Sequence, residues 1–217
     1  MGEDVSAKQI AEWLVNRKQQ TILINGASCS GPFVNALTGP QRVVVTATKS
    51  GYETSFAHFG RFLAQTLNEK NIDLDKDGRT SLLESVIAAN GKTEEFYQAD
   101  SRLPTEHALI DDNGDALGTP VEWYRGVRIS RKAKESTQVD GLRANQVFLN
   151  PPSPNEGLSV EQRQERDELE SELAVLINRK SEFAEDQYYL QMEKLMLRLA
   201  QLYRKDQTGE SKADSGQ

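Results

Sequence analysis

The hydrophobic pattern in the first part of the chain alternates between helical spacing and short continuous apolar runs. Helical spacing follows a capping box formed by Ser6 and Gln9, which predicts a helix over residues 6–17. Two β-branched apolar runs at 21–24 and 43–47 predict buried strands, with a helical crossover between them. Strands joined by such a crossover pair in parallel, so the pattern predicts an α/β fold with helices flanking a parallel sheet.

Two predicted helices flank an acidic stretch in the middle of the chain. The first covers residues 55–68 and carries apolar residues at helical spacing, namely Phe56, Phe59, Leu63 and Leu67. The second leaves the acidic stretch, and the turn dipeptide Asn90-Gly91 is expected to interrupt or end it. Later apolar runs at 127–130 and 146–149 are candidate strands.

The last part of the chain has a different pattern, that of paired helices. The proline-rich segment 150–157 predicts a linker after a first domain at 1–149. Residues 158–206 then predict an antiparallel helical hairpin, which begins with a capping box of Ser159 and Gln162. The small polar residues of 207–217 predict a disordered tail. The apolar seams of the two helices are Leu169, Leu173, Leu176 and Ile177, and then Tyr188, Met192, Leu195, Leu199 and Leu202.

Composition and charge narrow the possible partners. The 217 residues are 37% hydrophobic with a formal charge of −7, which argues against nucleic acid or an anionic membrane and favours cations. The single cysteine, Cys29, excludes an intramolecular disulfide and a multi-cysteine zinc site. Residues 1–20 lack the pattern of a signal peptide and no later run has the length of a membrane span, so we expect a cytoplasmic protein.

The acidic stretch DLDKDGRTSLLE, residues 73–84, fits the template of an EF-hand calcium loop. Its oxygen donors stand at the template's ligand positions: Asp73, Asp75, Asp77, the backbone carbonyl of Arg79, a water held by Ser81, and a bidentate Glu84. Gly78 stands at the position of the sharp turn. Thr80 replaces the usual aliphatic residue, which favours a lone structural site over a paired calcium sensor. The alternative is a solvated turn before a helix.

A second acidic stretch, DDNGDALGTPVE at 111–122, imitates the same template. The glycine position is taken by Ala116, and Pro120 opposes a smooth start to an exit helix. The sequence therefore favours an Asx-rich turn here, with a second calcium site as the alternative.

The runs ILINGASCSGPF and RVVVTATKSG resemble the strand and nucleophile loop of the caspase and legumain superfamily of cysteine peptidases. The resemblance continues through FGRFLAQTL, DLDKDG and EHALIDDNGD, and is greatest to bacterial legumain-related caspase-like proteins. It covers about residues 6–150 and implies a caspase-like parallel sheet between helices. It also implies a cysteine at a strand end, with a histidine on an earlier loop as its base.

The chain departs from this family pattern at the nucleophile and at the base. Alignment on Ser30-Gly31 in the legumain manner places Ser28 at the nucleophile position, whereas the caspase spacing places Cys29 there. Both histidines, His58 and His107, follow the cysteine instead of preceding it. The resemblance therefore implies that the first strands and the histidine loop are missing, either by truncation or because another chain supplies them.

These patterns together predict a calcium-binding, caspase-like domain that is not a working peptidase and acts in structure or interaction. The helical hairpin would serve a homodimer or a protein partner. The first alternative is a cysteine peptidase whose histidine lies in a missing upstream segment. The second is an adaptor in which both acidic stretches are turns.

Overall fold

The computed structural model describes most of the chain, with short gaps. The described residues are 5–69, 71–75, 79–131, 140–149 and 159–210. The chain divides into two compact units, Met1–Asn150 and Pro151–Gln217.

A mixed four-stranded sheet forms the centre of the first unit. Its strands are β1 (Thr21–Asn25), β2 (Arg42–Thr46), β3 (Leu109–Asp111) and β4 (Thr119–Pro120), in that spatial order. The predicted pairing of β1 and β2 is parallel, as expected. The prediction of a parallel sheet is otherwise wrong, because β3 enters the sheet at the carboxyl end of β2, with Leu109 opposite Thr46, and runs antiparallel to it.

Helices cover both faces of this sheet. They are α1 (Ala7–Leu14), α2 (Pro32–Leu37), α3 (Phe59–Thr66), α4 (Leu82–Ala99) and α5 (Leu142–Asn145). Alternate residues of β2 point to opposite faces, so Val43 and Val45 pack with α3 and α4 while Val44 packs with α2. A 3-10 turn, Val121–Trp123, leads from β4 into a short ribbon of β5 (Tyr124–Arg125) and β6 (Arg128–Ile129).

Local predictions fail where tertiary packing outweighs a turn signal or an apolar run. α4 continues without a break through Asn90-Gly91, because its faces before and after the dipeptide are buried and the Asn90 amide donates to Glu94 at 2.8 Å. The candidate strand at 146–149 is not a strand. Phe56 lies outside α3 and is exposed, so the helix begins at Phe59.

The second unit consists of two long helices, α6 (Val160–Asn178) and α7 (Glu185–Glu210), joined through a 3-10 turn at Lys180–Glu182. The predicted capping box of Ser159 and Gln162 starts α6. α7 extends beyond residue 206, into the segment for which the sequence predicts disorder. The linker predicted at 150–157 lies outside the described residues. Across the described part of the chain, no helix has the length and apolar character needed to cross a bilayer.

Candidate functional site

The carboxylate of Glu84 is the centre of the predicted calcium loop. It is fully buried at the third position of α4, where it closes a capping box by accepting from the Ser81 amide at 2.7 Å. Its other oxygen accepts from the amide of Leu74 at 2.5 Å and, more weakly, from that of Asp75 at 3.4 Å. Glu84 therefore holds the first half of the loop against the start of the helix.

Two aspartates bring their carboxylates to the same place. Ligand oxygens of Asp73, Asp75 and Glu84 lie within 4.8 Å of one another, an arrangement that could hold a metal ion. Asp73 is half-buried and Asp75 is exposed, so the cluster faces solvent on one side. These residues occupy the first, third and last positions of the twelve-residue template.

A residue that the sequence analysis missed connects the loop to α5. The side-chain amide of Asn145 donates to Asp75 at 3.2 Å, and its carbonyl oxygen accepts from the Ser81 hydroxyl at 3.0 Å. Ser81 also hydrogen-bonds to Glu84 and is buried, so its hydroxyl is engaged with protein groups. No local pattern identifies Asn145, because it lies more than sixty residues downstream of the loop.

The predicted ligands Asp77 and Arg79 are not among the three carboxylates that converge in the described part of the loop. Asp77 and the turning residue Gly78 lie outside the described residues. Arg79, whose carbonyl is the predicted ligand at the seventh position of the template, places its guanidinium 3.6 Å from the ring centroid of Phe148. This cation–π contact fixes the loop's exit beside the segment that follows α5.

The second acidic stretch has the hydrogen bonds of an Asx-rich turn. Asn113 accepts from the Asp115 amide at 2.8 Å, and Asp115 accepts from the Leu117 amide at 2.9 Å. Ala116 adopts a φ of 65°, the left-handed conformation for which the calcium template uses glycine. Glu122 lies on the 3-10 turn and is exposed. Among the described residues, these side chains do not converge on a common point.

Buried carboxylates lie just beneath that turn. Asp112 accepts from the amides of Gly141 and Ala144, each at 2.8 Å, and so caps α5. Asp140 accepts from the Asp112 amide at 2.9 Å and from the Thr119 hydroxyl at 2.5 Å. Asp111 is also fully buried. We name Asp111, Asp112 and Asp140 the buried carboxylate cluster.

Burial controls the ionisation of this cluster. It raises the pKa of Asp112 to about 6; the nearby Asp140 charge adds to the rise, and the hydrogen bond from Ala144 opposes it. Burial likewise raises the pKa of Asp111 and of Asp140. Tyr124 packs beside them, and among the described residues its buried hydroxyl has no hydrogen-bond partner. A side chain at Gly141, whose φ is +103°, would lie 2.8 Å from that hydroxyl.

Cys29 lies in the loop after β1, in a left-handed conformation with a φ of 59°. Its amide donates to the carbonyl of Glu53 at 3.0 Å, and its thiol lies 3.7 Å from the same oxygen. The hydroxyl of Ser28 donates to the carbonyl of Ser55 at 2.6 Å. Both candidate nucleophiles are thus bonded to backbone carbonyls of the segment that follows β2.

The two histidines have partners of their own. The Nδ1 atom of His107 lies 2.6 Å from a carboxylate oxygen of Glu53. The ring of His58 packs against that of Phe96, with centroids 4.3 Å apart and the ring planes tilted by 44°. In the described part of the chain, no hydrogen bond joins either histidine to the Cys29 thiol. Glu106 instead caps α3, through the amides of His58 and Phe59.

Comparisons of the chain with protein-family models, with curated proteins and with solved structures give no match.

Proposed function

We propose that residues 73–84 bind one calcium ion, in a caspase-like domain that is not a working peptidase and acts in structure or interaction. The supporting observation is the convergence of carboxylate oxygens from Asp73, Asp75 and Glu84 within 4.8 Å. Calcium takes six to eight oxygen ligands and tolerates irregular geometry, so a loop with carboxylates and exposed space for water suits it better than magnesium.

The hydrogen bonds of Glu84 limit the affinity of this site. A carboxylate that coordinates calcium through both oxygens would compete with the amides of Leu74 and Asp75 at one oxygen. It would compete with the amide and hydroxyl of Ser81 at the other. Because calcium must compete with these contacts, we expect weak binding, with a dissociation constant on the order of 10⁻⁵ to 10⁻³ M. A structural role fits this range better than a cytosolic sensor does.

Isothermal titration calorimetry of the full chain tests the proposal. Asp75→Ala and Glu84→Ala should each weaken binding by at least about tenfold, since each removes oxygen ligands. Glu84→Ala also removes hydrogen bonds that hold the loop. Asp73→Asn therefore accompanies it, since it removes a charged ligand and leaves those hydrogen bonds in place. Asp115→Ala removes an exposed aspartate from the second acidic stretch and should bind like the parent. Absence of a binding heat at millimolar calcium would refute the site.

The cysteine site supports the absence of peptidase activity. A thiol near neutral pH is only a few per cent thiolate unless a base or a cation activates it. The described partner of the Cys29 thiol is the carbonyl of Glu53, and His107 is engaged by the carboxylate of the same residue. These contacts supply no base to Cys29.

A peptide library tests this second part. The resemblance implies Arg, Lys, Asn or Asp before a scissile bond, so the library should cover all four, with and without calcium. We expect no hydrolysis above that of a Cys29→Ala control. Calcium-dependent cleavage lost in Cys29→Ala would establish Cys29 as a nucleophile, and loss in Ser28→Ala would support the other alignment.

We further propose that α6 and α7 form an antiparallel hairpin for interaction with another protein chain. Arg198, in the second half of α7, contacts Glu165, in the first turns of α6, at 3.2 Å. Such a contact is expected when the second helix runs back along the first.

A further inference from the structure

α7 carries a second apolar stripe besides the one that packs within its own unit. Tyr188 and Leu202 are buried, as the predicted seam requires. The second stripe remains 38–55% exposed and consists of Tyr189, Leu190, Met196, Leu197 and Tyr203. We call these five residues the outer stripe. On a charged surface helix, large apolar side chains at this exposure mark an interaction surface.

The outer stripe repeats every seven residues. Tyr189, Met196 and Tyr203 are seven apart, and so are Leu190 and Leu197. At 3.6 residues per turn these side chains fall within an arc of about 140°, beside the buried seam. The opposite arc is polar and carries Gln187, Gln191, Lys194, Arg198 and Gln201. A seven-residue apolar repeat is typical of a surface that packs along another helix.

We infer that the outer stripe binds the outer stripe of a second copy of this chain, with the two α7 helices antiparallel across a two-fold axis at Met196. Tyr189 and Tyr203 stand at equal distances on either side of Met196. An antiparallel pair therefore places Tyr189 of each copy against Tyr203 of the other, with the two Met196 side chains on the axis. Such self-complementarity is what a two-fold interface requires.

The charge on the stripe favours the antiparallel arrangement. Glu193 lies within the arc of the outer stripe and is exposed. A parallel pair would place the two Glu193 carboxylates directly opposite each other. In the antiparallel pair they are about 9 Å apart along the axis, at a rise of 1.5 Å per residue. Like charges therefore oppose the parallel pair and affect the antiparallel one much less.

The exposed area is sufficient for a weak to moderate dimer. At exposed fractions of 38–55%, five large side chains present on the order of 450 Å² per copy, or about 900 Å² in the pair. Specific interfaces bury about 1,200 Å² or more, and the side chains that border the stripe supply the remainder. We therefore expect association in the micromolar range rather than an obligate dimer.

Sedimentation equilibrium of the full chain tests the inference. The parent should dimerise at about ten to a hundred micromolar. The double variant Met196→Glu with Leu197→Glu should weaken association by at least about a hundredfold, because four half-buried apolar side chains per dimer become charged. Gln187→Glu with Gln191→Glu adds the same charge to the polar arc, away from both edges of the outer stripe, and should leave association unchanged. Circular dichroism checks that both variants retain the helix.

Cysteine crosslinking tests the geometry in a Cys29→Ala background. Met196→Cys should form a disulfide dimer on oxidation, since this position lies on the axis. Tyr189→Cys should crosslink efficiently only when it is mixed with Tyr203→Cys. A strict monomer at a hundred micromolar, or a dimer unaffected by the double glutamate variant, would overturn the inference. Self-crosslinking of Tyr189→Cys would overturn the antiparallel arrangement.

Discussion

Two acidic regions of similar composition use their carboxylates in opposite ways. In the loop at 73–84, oxygens of Asp73, Asp75 and Glu84 converge, and Asp75 is exposed. In the buried carboxylate cluster, by contrast, the oxygens accept hydrogen bonds from separate donors. Asp112 accepts from the amides of Gly141 and Ala144, and Asp140 accepts from the amide of Asp112. Counting acidic residues would rank the two regions alike.

The two regions differ in whether a carboxylate remains exposed, because Glu84 is as buried as Asp112 and, like it, accepts from backbone amides. The carboxylate of Asp112 is buried and holds the start of α5, so an ion would have to displace structural contacts. The carboxylate of Asp75 belongs to an exposed residue and accepts a hydrogen bond from the side-chain amide of Asn145. The following predictions test this contrast, in order of decreasing effect.

The largest effect is expected from matched alanine substitutions in the two regions. Asp112→Ala leaves the buried amides of Gly141 and Ala144 without an acceptor and should lower the free energy of unfolding by about 3 kcal/mol. Asp75→Ala should cost less than about 1 kcal/mol. Urea denaturation followed by tryptophan fluorescence reports this, since Trp13 and Trp123 both lie in the first unit. Equal losses in the two variants would contradict the contrast.

Calcium should stabilise the fold through the first region alone. A ligand at a hundred times its dissociation constant stabilises by about 2.7 kcal/mol, which raises the melting temperature by several degrees. Asp75→Ala should lose about half of this free energy or more at the same calcium concentration. Asp112→Asn, although less stable, should keep the full shift. A shift that Asp112→Asn abolishes would place the ion in the wrong region.

The buried carboxylate cluster should make stability depend on pH. The pKa of Asp112 is raised from 3.8 to about 6 in the folded chain. The fold therefore prefers the protonated form, and this contribution is complete below about pH 4 and is lost as the pH rises through 6. Asp140→Asn removes a neighbouring charge. Its side-chain carbonyl can still accept from the backbone amides of Asp112 and Asn113, and its NH₂ group can donate to the Thr119 hydroxyl.

The free energy of unfolding of Asp140→Asn, relative to that of the parent, should therefore increase by on the order of 1 kcal/mol between pH 4 and pH 7. Urea titrations at several pH values measure this difference. Asp100→Asn, at an exposed ion pair with Arg102, provides the control and should show no such trend. A gap that stays constant as the pH rises would show that the cluster does not titrate in this range, and a gap that narrows would contradict the raised pKa values.

The smallest effect on calcium binding is expected at Asn145, which is far from Asp75 in the sequence but hydrogen-bonds to its carboxylate. Asn145→Ala removes the amide that Asp75 accepts and should weaken calcium binding by about threefold, well below the loss from removing a ligand. Asn68→Ala, which removes an exposed amide bonded to the carbonyl of Ala64, is the matched control. A tenfold loss would make Asn145 a ligand itself.

Local sequence signals predicted the parts of this fold that depend on neighbouring residues. The capping boxes at Ser6 and Ser159 are present in the structure, since each needs only a partner three residues away. The parallel pairing of β1 and β2 also follows from a short crossover. The turn signal at Asn90-Gly91 failed because burial on both sides of it keeps α4 continuous.

The outer stripe shows how far periodicity alone can reach. The spacing of Tyr188, Met192, Leu195, Leu199 and Leu202 predicts one seam, and the ends of that seam are buried. The same helix also carries the outer stripe, and the sequence alone does not show which of these two adjacent stripes packs within its own chain. The packing of α7 in the tertiary structure decides this.

The sequence by itself identified the carboxylates that converge in the acidic loop, because the positions of Asp73, Asp75 and Glu84 in one template fix which oxygens a turn can bring together. It also determined the starts of α1 and α6, through their capping boxes, and the first strand pair. Only the tertiary structure decided the antiparallel entry of β3, the contact of Asn145 with Asp75, and the pairing of His107 with Glu53. Each of these joins residues far apart in the chain, and such contacts depend on the packing of whole elements, which no local spacing encodes.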